Sequence, residues 1–91
     1  METTMRIQQE AIPLVKSSLE LKRKALEFNL NEYRKRLAAY ESLHKMNSQE
    51  FMSRFKRGEL GDDAAWFEWE FALDALNETE HQLELLASVK L

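Results

Sequence analysis

Two Glu-x-x-His pairs have the residue types and spacing that come closest to known chemistry. Glu41 and His44 form one pair, and Glu78 and His81 form the other. This spacing recurs in four-helix proteins that bind two iron ions, which also need a bridging Glu from each remaining helix. The hydrophobic pattern places both pairs on outward positions, with the histidines roughly 20 Å or more apart at helical rise. We therefore expect two solvated histidines, no metal site and no cofactor.

The loop at residues 58–63, GELGDD, is the other candidate for chemistry. It lacks the Lys and the hydroxyl of a phosphate-binding loop, and its carboxylates would repel phosphate. A calcium loop needs more oxygen ligands at alternating spacing. The serines of the chain lack the glycine-framed turn that presents a nucleophile. Because no catalytic constellation is found, we expect a protein that is not an enzyme.

Composition indicates one small domain with a marginal core. Charged residues make up 32% and hydrophobic residues 44% of the 91 residues, which is typical of a globular chain. A chain of this length buries only roughly 60% of its unfolded surface, so a monomer would be marginal. There are no cysteines and no apolar signal segment near residue 1, which favours a cytoplasmic protein. No apolar run approaches the ~20 residues of a membrane span.

Charge is divided unevenly along the chain. Residues 1–58 carry twelve Lys or Arg and seven Asp or Glu, a net charge of +5. Residues 59–91 carry one Lys and nine Asp or Glu, a net charge of −8. The opposite signs favour two arms that pack side by side. The basic stretch at residues 22–36 could instead meet nucleic acid, but it has little aromatic interleaving and the acidic arm would repel phosphate.

Hydrophobic periodicity predicts three helices, over about residues 13–46, 48–57 and 63–88. The first predicted helix contains no Gly. Pro13 fits its first turn, where the missing N–H costs nothing. Residues 1–12 then form an arm, which could be a short strand or a helical extension.

The first predicted helix has two apolar rows, and a single partner arm covers only one of them. The main row repeats every seven residues at Ile12, Leu19, Leu26, Tyr33 and Tyr40. The second row consists of Leu14, Leu21, Ala25 and Phe28. This helix would also be about 50 Å long, whereas a compact chain of this size has a radius of gyration of about 12 Å. We predict an all-α fold, an antiparallel helical hairpin with a short corner helix, that assembles through the second row into a homo-oligomeric bundle, a dimer or higher.

Residues at the corner between the arms match the signals of helix caps and turns. They are Asn47, Glu50, Gly58, Gly61, Asp62 and Asp63. Asn47, with Glu50 three residues later, has the spacing of a capping box, and Ser48 is an alternative cap. Either Asp62 or Asp63 caps the third helix. The two glycines supply the left-handed conformation that sharp turns need.

Aromatic residues crowd the start of the third helix and occupy more than half of its circumference. Some of them must therefore face something other than the hairpin core, and aromatic side chains are frequent binding hot spots. The acidic arm around them suits a basic partner. The candidate partner-binding residues are Trp66, Phe67, Trp69, Phe71, Glu70, Asp74 and Glu78. Of these, Trp69 is the one that a hydrophobic core with Phe51 and Phe55 explains most readily.

The corner resembles a family of small helical proteins from bacteria and archaea that are often encoded beside small toxin-like proteins. The resemblance is carried by MNSQEF at residues 46–51, GELGDD at residues 58–63 and FEWE at residues 67–70, and it covers roughly residues 25–86. It implies a cytoplasmic, non-enzymatic protein that binds another protein. We therefore predict an antitoxin-like neutraliser of a small basic protein encoded nearby, with no membrane partner. The alternatives are a structural coiled-coil oligomerisation protein and, ranked lower, a nucleic-acid-binding helical protein that uses residues 22–36.

Overall fold

Three α-helices make up the fold within the described part of the chain. The computed structural model describes residues 4–91. A single 3-10 turn, Gln9–Ala11, leads into α1 (Ile12–His44), which is followed by α2 (Ser48–Lys56) and α3 (Ala64–Ala87). The described residues contain no strand, and the prediction of an all-α fold is confirmed.

The N-terminal arm enters α1 directly. Residues 4–8 have no regular secondary structure, and residues 1–3 of the predicted arm lie outside the described part of the chain. Pro13 lies in the first turn of α1, where its missing N–H removes no intrahelical hydrogen bond. The whole helix is 33 residues long. It ends at His44 because Lys45 takes the left-handed conformation, with φ 54° and ψ 41°.

α3 packs along α1. Near the corner, Tyr40 and His44 of α1 stack on Trp69 of α3. Towards the other end, Leu26 of α1 and Leu85 of α3 line the same groove. The buried residues are Leu26, Leu30, Leu37, Phe51, Trp69, Ala72 and Thr79. Those in α1 are four and seven residues apart, so that they share the side of the helix that faces α3.

The molecule is elongated and exposes much surface for its mass. Its extents are 56 × 29 × 18 Å and its radius of gyration is 18.2 Å, against about 12 Å for a compact chain of this length. Its accessible surface is 7302 Å², whereas a compact protein of 10.8 kDa exposes roughly 5,500 Å². The excess arises because α1 has little but α3 to pack against along its length.

Local hydrogen bonds close α2 at both ends. At its start, the Asn47 Oδ1 accepts a hydrogen bond from the backbone N–H of Glu50 at 2.7 Å. The Glu50 carboxylate faces Arg54 at 3.8 Å and does not return to the cap. At its end, Gly58 has φ 72°, and its N–H donates to the carbonyl of Phe55 at 3.1 Å. A glycine carries no steric penalty in this left-handed conformation.

Asp63, and not its neighbour Asp62, caps α3. Its Oδ1 accepts a hydrogen bond from the backbone N–H of Ala65 at 2.9 Å, and its charge lies at the positive end of the helix dipole. We expect Asp63→Ala to lower the free energy of unfolding by about 1 kcal/mol, measured by urea denaturation. Asp62→Ala is the matched control, because it removes an equivalent exposed carboxylate, and it should change stability by less than ~0.5 kcal/mol. Equal losses for the two variants would contradict this assignment.

Candidate functional site

The corner aromatics form a core that fixes the start of α3. Trp69 and Phe51 are completely buried, and their rings lie parallel, 1° apart in orientation, with centroids 4.1 Å apart. Tyr40 and His44 stack against the same indole, with centroids at 5.7 Å and 5.5 Å. Inclusion of Trp69 among the partner-binding residues is therefore wrong, because contacts with all three helices enclose its ring.

A chain of hydrogen bonds joins the three helices at this core. Trp69 Nε1 donates to Ser48 Oγ at 3.0 Å, and the backbone N–H of Ser48 donates to Glu41 Oε2 at 2.7 Å. The Glu41 carboxylate thus lies at the N-terminal end of α2, where negative charge is favourable. The outward position expected for Glu41 is wrong, since its carboxylate links α1 to the start of α2.

The two histidines have different surroundings, and the expectation that both are solvated is wrong for His44. Its ring lies against Trp66, at 4.7 Å between centroids, and against Trp69. Its Nε2 is buried and has no hydrogen-bond partner. His81 is exposed. Within residues 4–91, no three His, Asp or Glu side chains are grouped so that they could hold a metal ion.

The outer side of α3 carries large apolar side chains among carboxylates. Phe67 is 51%, Phe71 62% and Leu85 54% exposed. Asp74 and Glu78 lie between Phe71 and Leu85 in the sequence and are also exposed. Spacings of three, four and seven residues bring these side chains to one side of the helix. We call these five residues the α3 outer face.

The other predicted partner-binding residues lie at the edge of the α3 outer face. Trp66 is half-buried beneath it, and Glu70 is half-exposed beside Phe67. Phe55 packs edge-to-face against Phe67, with ring centroids 5.4 Å apart. One side of the Phe67 ring therefore packs against Phe55, and the other side is exposed. Sequence reasoning missed Leu85, although its spacing of fourteen residues from Phe71 could have shown that the two share a face.

α3 is acidic along its whole length. Its sequence contains six Asp or Glu and no Lys or Arg. The five ion pairs in the described part of the chain lie within α1, within α2 or in the turn after α2. The two arms of opposite charge do lie side by side, but no ion pair among residues 4–91 joins α1 to α3. The carboxylates of the α3 outer face thus remain available to other molecules.

α1 carries a second unpartnered apolar surface. Leu14 and Leu21 are each 69% exposed and Phe28 is 65% exposed. They recur every seven residues, on the side of α1 turned away from the buried stripe at Leu26 and Leu30. We call these three residues the α1 outer row. Rows of exposed large apolar side chains of this kind mark surfaces that bind other proteins.

Two unpaired lysines lie near the α1 outer row. The neighbouring Arg23 is held by the carboxylates of Glu20 and Glu27 on the same helix. The hydrogen bonds from its guanidinium lower the pKa of Glu20. Lys22 and Lys24, on either side of Arg23, are exposed and form no ion pair within residues 4–91. Lys24, three residues from Leu21 and four from Phe28, is therefore the positive charge beside the α1 outer row, whereas Lys22 lines a groove with Leu26 and Leu85.

Comparisons with models of protein families, with curated proteins and with solved structures give no match. No helix within residues 4–91 is long and apolar enough to cross a bilayer.

Proposed function

We propose that this protein is a non-enzymatic protein-binding module and that its α3 outer face binds a basic protein. The supporting observation is that Phe67 and Phe71 are both more than half exposed. They lie beside the carboxylates of Asp74 and Glu78, which form no ion pair within residues 4–91. Aromatic side chains supply affinity when a partner removes them from water. Carboxylates around them speed the encounter with a basic partner and select against acidic ones.

The proposed role is antitoxin-like, the neutralisation of a small basic protein encoded nearby. It is supported by the resemblance at residues 58–63 and 67–70 and by the six carboxylates of α3. A protein that acts on nucleic acid needs a basic surface to hold phosphates. An acidic helix with aromatic anchors would cover such a surface and block it, with no chemistry by the covering chain. We further propose that the protein is cytoplasmic and that the chain alone forms a homo-oligomeric helical bundle, a dimer or higher, in which α1 and α3 form an antiparallel hairpin.

Co-expression with the product of the adjacent gene tests this function. We expect the two proteins to co-purify as a complex of fixed stoichiometry, and we expect this chain to restore growth to cells that the other product arrests. If the two proteins elute separately and growth is not restored, the antitoxin-like role is refuted. A structural coiled-coil oligomerisation protein would then take its place, because the α1 outer row is exposed in either case.

A further inference from the structure

We infer that a second copy of this chain also binds the α3 outer face, and that it does so through its α1 outer row. This contact rests on the proposed homo-oligomeric assembly and names the two surfaces that meet in it, and it does not depend on the existence of a basic partner. It requires that the two surfaces match in length, in apolar character and in charge, and that they cannot meet within one copy.

The α1 outer row matches in length the part of the α3 outer face between Phe71 and Leu85. Leu14 and Phe28, at the ends of the α1 outer row, are fourteen residues apart, and so are Phe71 and Leu85 on α3. At 1.5 Å per residue, each span is about 21 Å long. Large apolar side chains at both ends of one surface can therefore contact those at both ends of the other.

The charges between these apolar ends are complementary. Lys24 lies beside Leu21 and Phe28 in the α1 outer row, and Lys22 lies nearer the groove that Leu26 and Leu85 line. Asp74 and Glu78 lie midway along the α3 outer face. All four are exposed and form no ion pair within residues 4–91. Two α1 outer rows placed against each other would instead bring lysines together, which is unfavourable. Charge thus favours α3 of a second copy as the partner of α1.

The two surfaces cannot meet within one copy. The stripe of α1 that contains Leu26 and Leu30 faces α3 and is buried. At about 100° per residue, Leu21 lies about 140° around the helix from Leu26. The α1 outer row therefore points away from its own α3 and can contact only the α3 of another copy. Each copy has both surfaces. Two copies can therefore bind each other reciprocally through two such contacts, or several copies can form a closed ring in which each α1 binds the α3 of the next copy.

The accessible surface of the single chain is large enough for such contacts. The chain exposes 7302 Å², roughly 1,800 Å² more than a compact protein of its mass. A standard interface buries roughly 800 Å² on each partner. Each copy takes part in two such contacts, one through α1 and one through α3. Together, the two contacts would bury about as much surface as the chain exposes in excess of a compact protein of its mass.

Charge reversal on each helix tests the contact in the purified chain. The first variant carries Lys22→Glu with Lys24→Glu, the second carries Asp74→Lys with Glu78→Lys, and the third carries all four substitutions. Sedimentation equilibrium at low salt gives the dissociation constant of self-association. We expect the first and second variants each to weaken association at least tenfold, because like charges then meet between copies. The third should return to within about threefold of the original chain, because opposite charges meet again.

Matched controls reverse charges on other sides of the same helices. Arg34→Glu on α1 and Glu84→Lys on α3 alter exposed residues that lie outside both surfaces, and each should change the dissociation constant less than about threefold. If the α3 variant associates as the original chain does and the four-substitution variant stays weak, then α1 pairs with α1 and the inference is wrong. An original chain that remains monomeric at every concentration also overturns it.

A second measurement covers the case in which a reversed variant fails to fold. Lys24→Gln and Glu78→Gln keep the side-chain size and remove one charge each. Both should fold, as judged by circular dichroism, and both should reduce the salt dependence of self-association. An unchanged salt dependence in both would contradict the inference. Because these measurements use the chain alone, they can fail while binding to a basic protein succeeds, and the reverse is also true.

Discussion

Trp69→Ala is expected to lower the free energy of unfolding by about 3–5 kcal/mol. The indole is completely buried and lies parallel to Phe51 at 4.1 Å, so that its removal leaves a large cavity where three helices meet. Small domains have a total stability of only about 5–15 kcal/mol, with short chains near the lower limit. We therefore expect a variant that is partly unfolded at 25 °C, with reduced helical circular dichroism.

Matched variants separate the ring from its hydrogen bond. Trp66→Ala removes the same residue type from a half-buried position and should cost less than Trp69→Ala. Trp69→Phe keeps an aromatic ring but removes the hydrogen bond from Nε1 to Ser48 Oγ, which should cost about 1–2 kcal/mol. Urea denaturation followed by circular dichroism measures all three. Equal losses for Trp66→Ala and Trp69→Ala would show that the corner core is not centred on Trp69.

Periodicity made the general fold predictable because it depends only on local spacing. α1 contains Pro13 in its first turn and no Gly, so the sequence alone predicts a long helix. The seven-residue repeat of Leu14, Leu21 and Phe28 likewise places these side chains on one side of any helix that contains them. Neither deduction requires knowledge of what α1 packs against. The all-α class followed from the same reasoning.

The surroundings of Glu41 and His44 could not be read from local spacing. Both depend on where α1 ends and on the direction in which α2 leaves it. α1 ends at a left-handed lysine, Lys45, a conformation for which glycine is the usual sequence signal. After the turn, Ser48 of α2 lies next to Glu41 of α1. Trp69 of α3 stacks on His44 of α1, so these contacts join residues from three helices. Only tertiary structure fixes such contacts.

Both proposed contacts use the α3 outer face, so that they compete. A basic protein that covers Phe71 and Glu78 would exclude the α1 outer row of a second copy from the same residues. Self-association would then reduce the fraction of chains whose α3 outer face is free. The apparent affinity for the partner would fall in proportion to that fraction. The oligomer formed by the chain alone would act as a reserve from which the partner releases single copies.

Phe71→Ala is expected to weaken binding of the basic partner by about 2 kcal/mol or more, roughly 30-fold. Phe71 is 62% exposed and lines a groove with Arg36 and Tyr40 of α1, so that a partner can enclose it without disturbing the core. Leu43→Ala is the matched control, since Leu43 is 73% exposed and lies outside the α3 outer face. It should change the dissociation constant less than threefold in isothermal titration calorimetry, whereas equal losses would place the partner elsewhere.

Charge on α3 should govern the rate at which that partner binds rather than the lifetime of the complex. Replacing Glu70, Asp74 and Glu78 by Gln, Asn and Gln removes three of the six carboxylates of α3 while keeping side-chain size. Long-range attraction acts before contact, so we expect the association rate constant at low salt to fall by about tenfold and its salt dependence to flatten. The dissociation rate constant should change much less, because it reflects the buried aromatic contacts. Stopped-flow measurements at several salt concentrations separate the two, and an unchanged association rate would remove the electrostatic support for a basic partner.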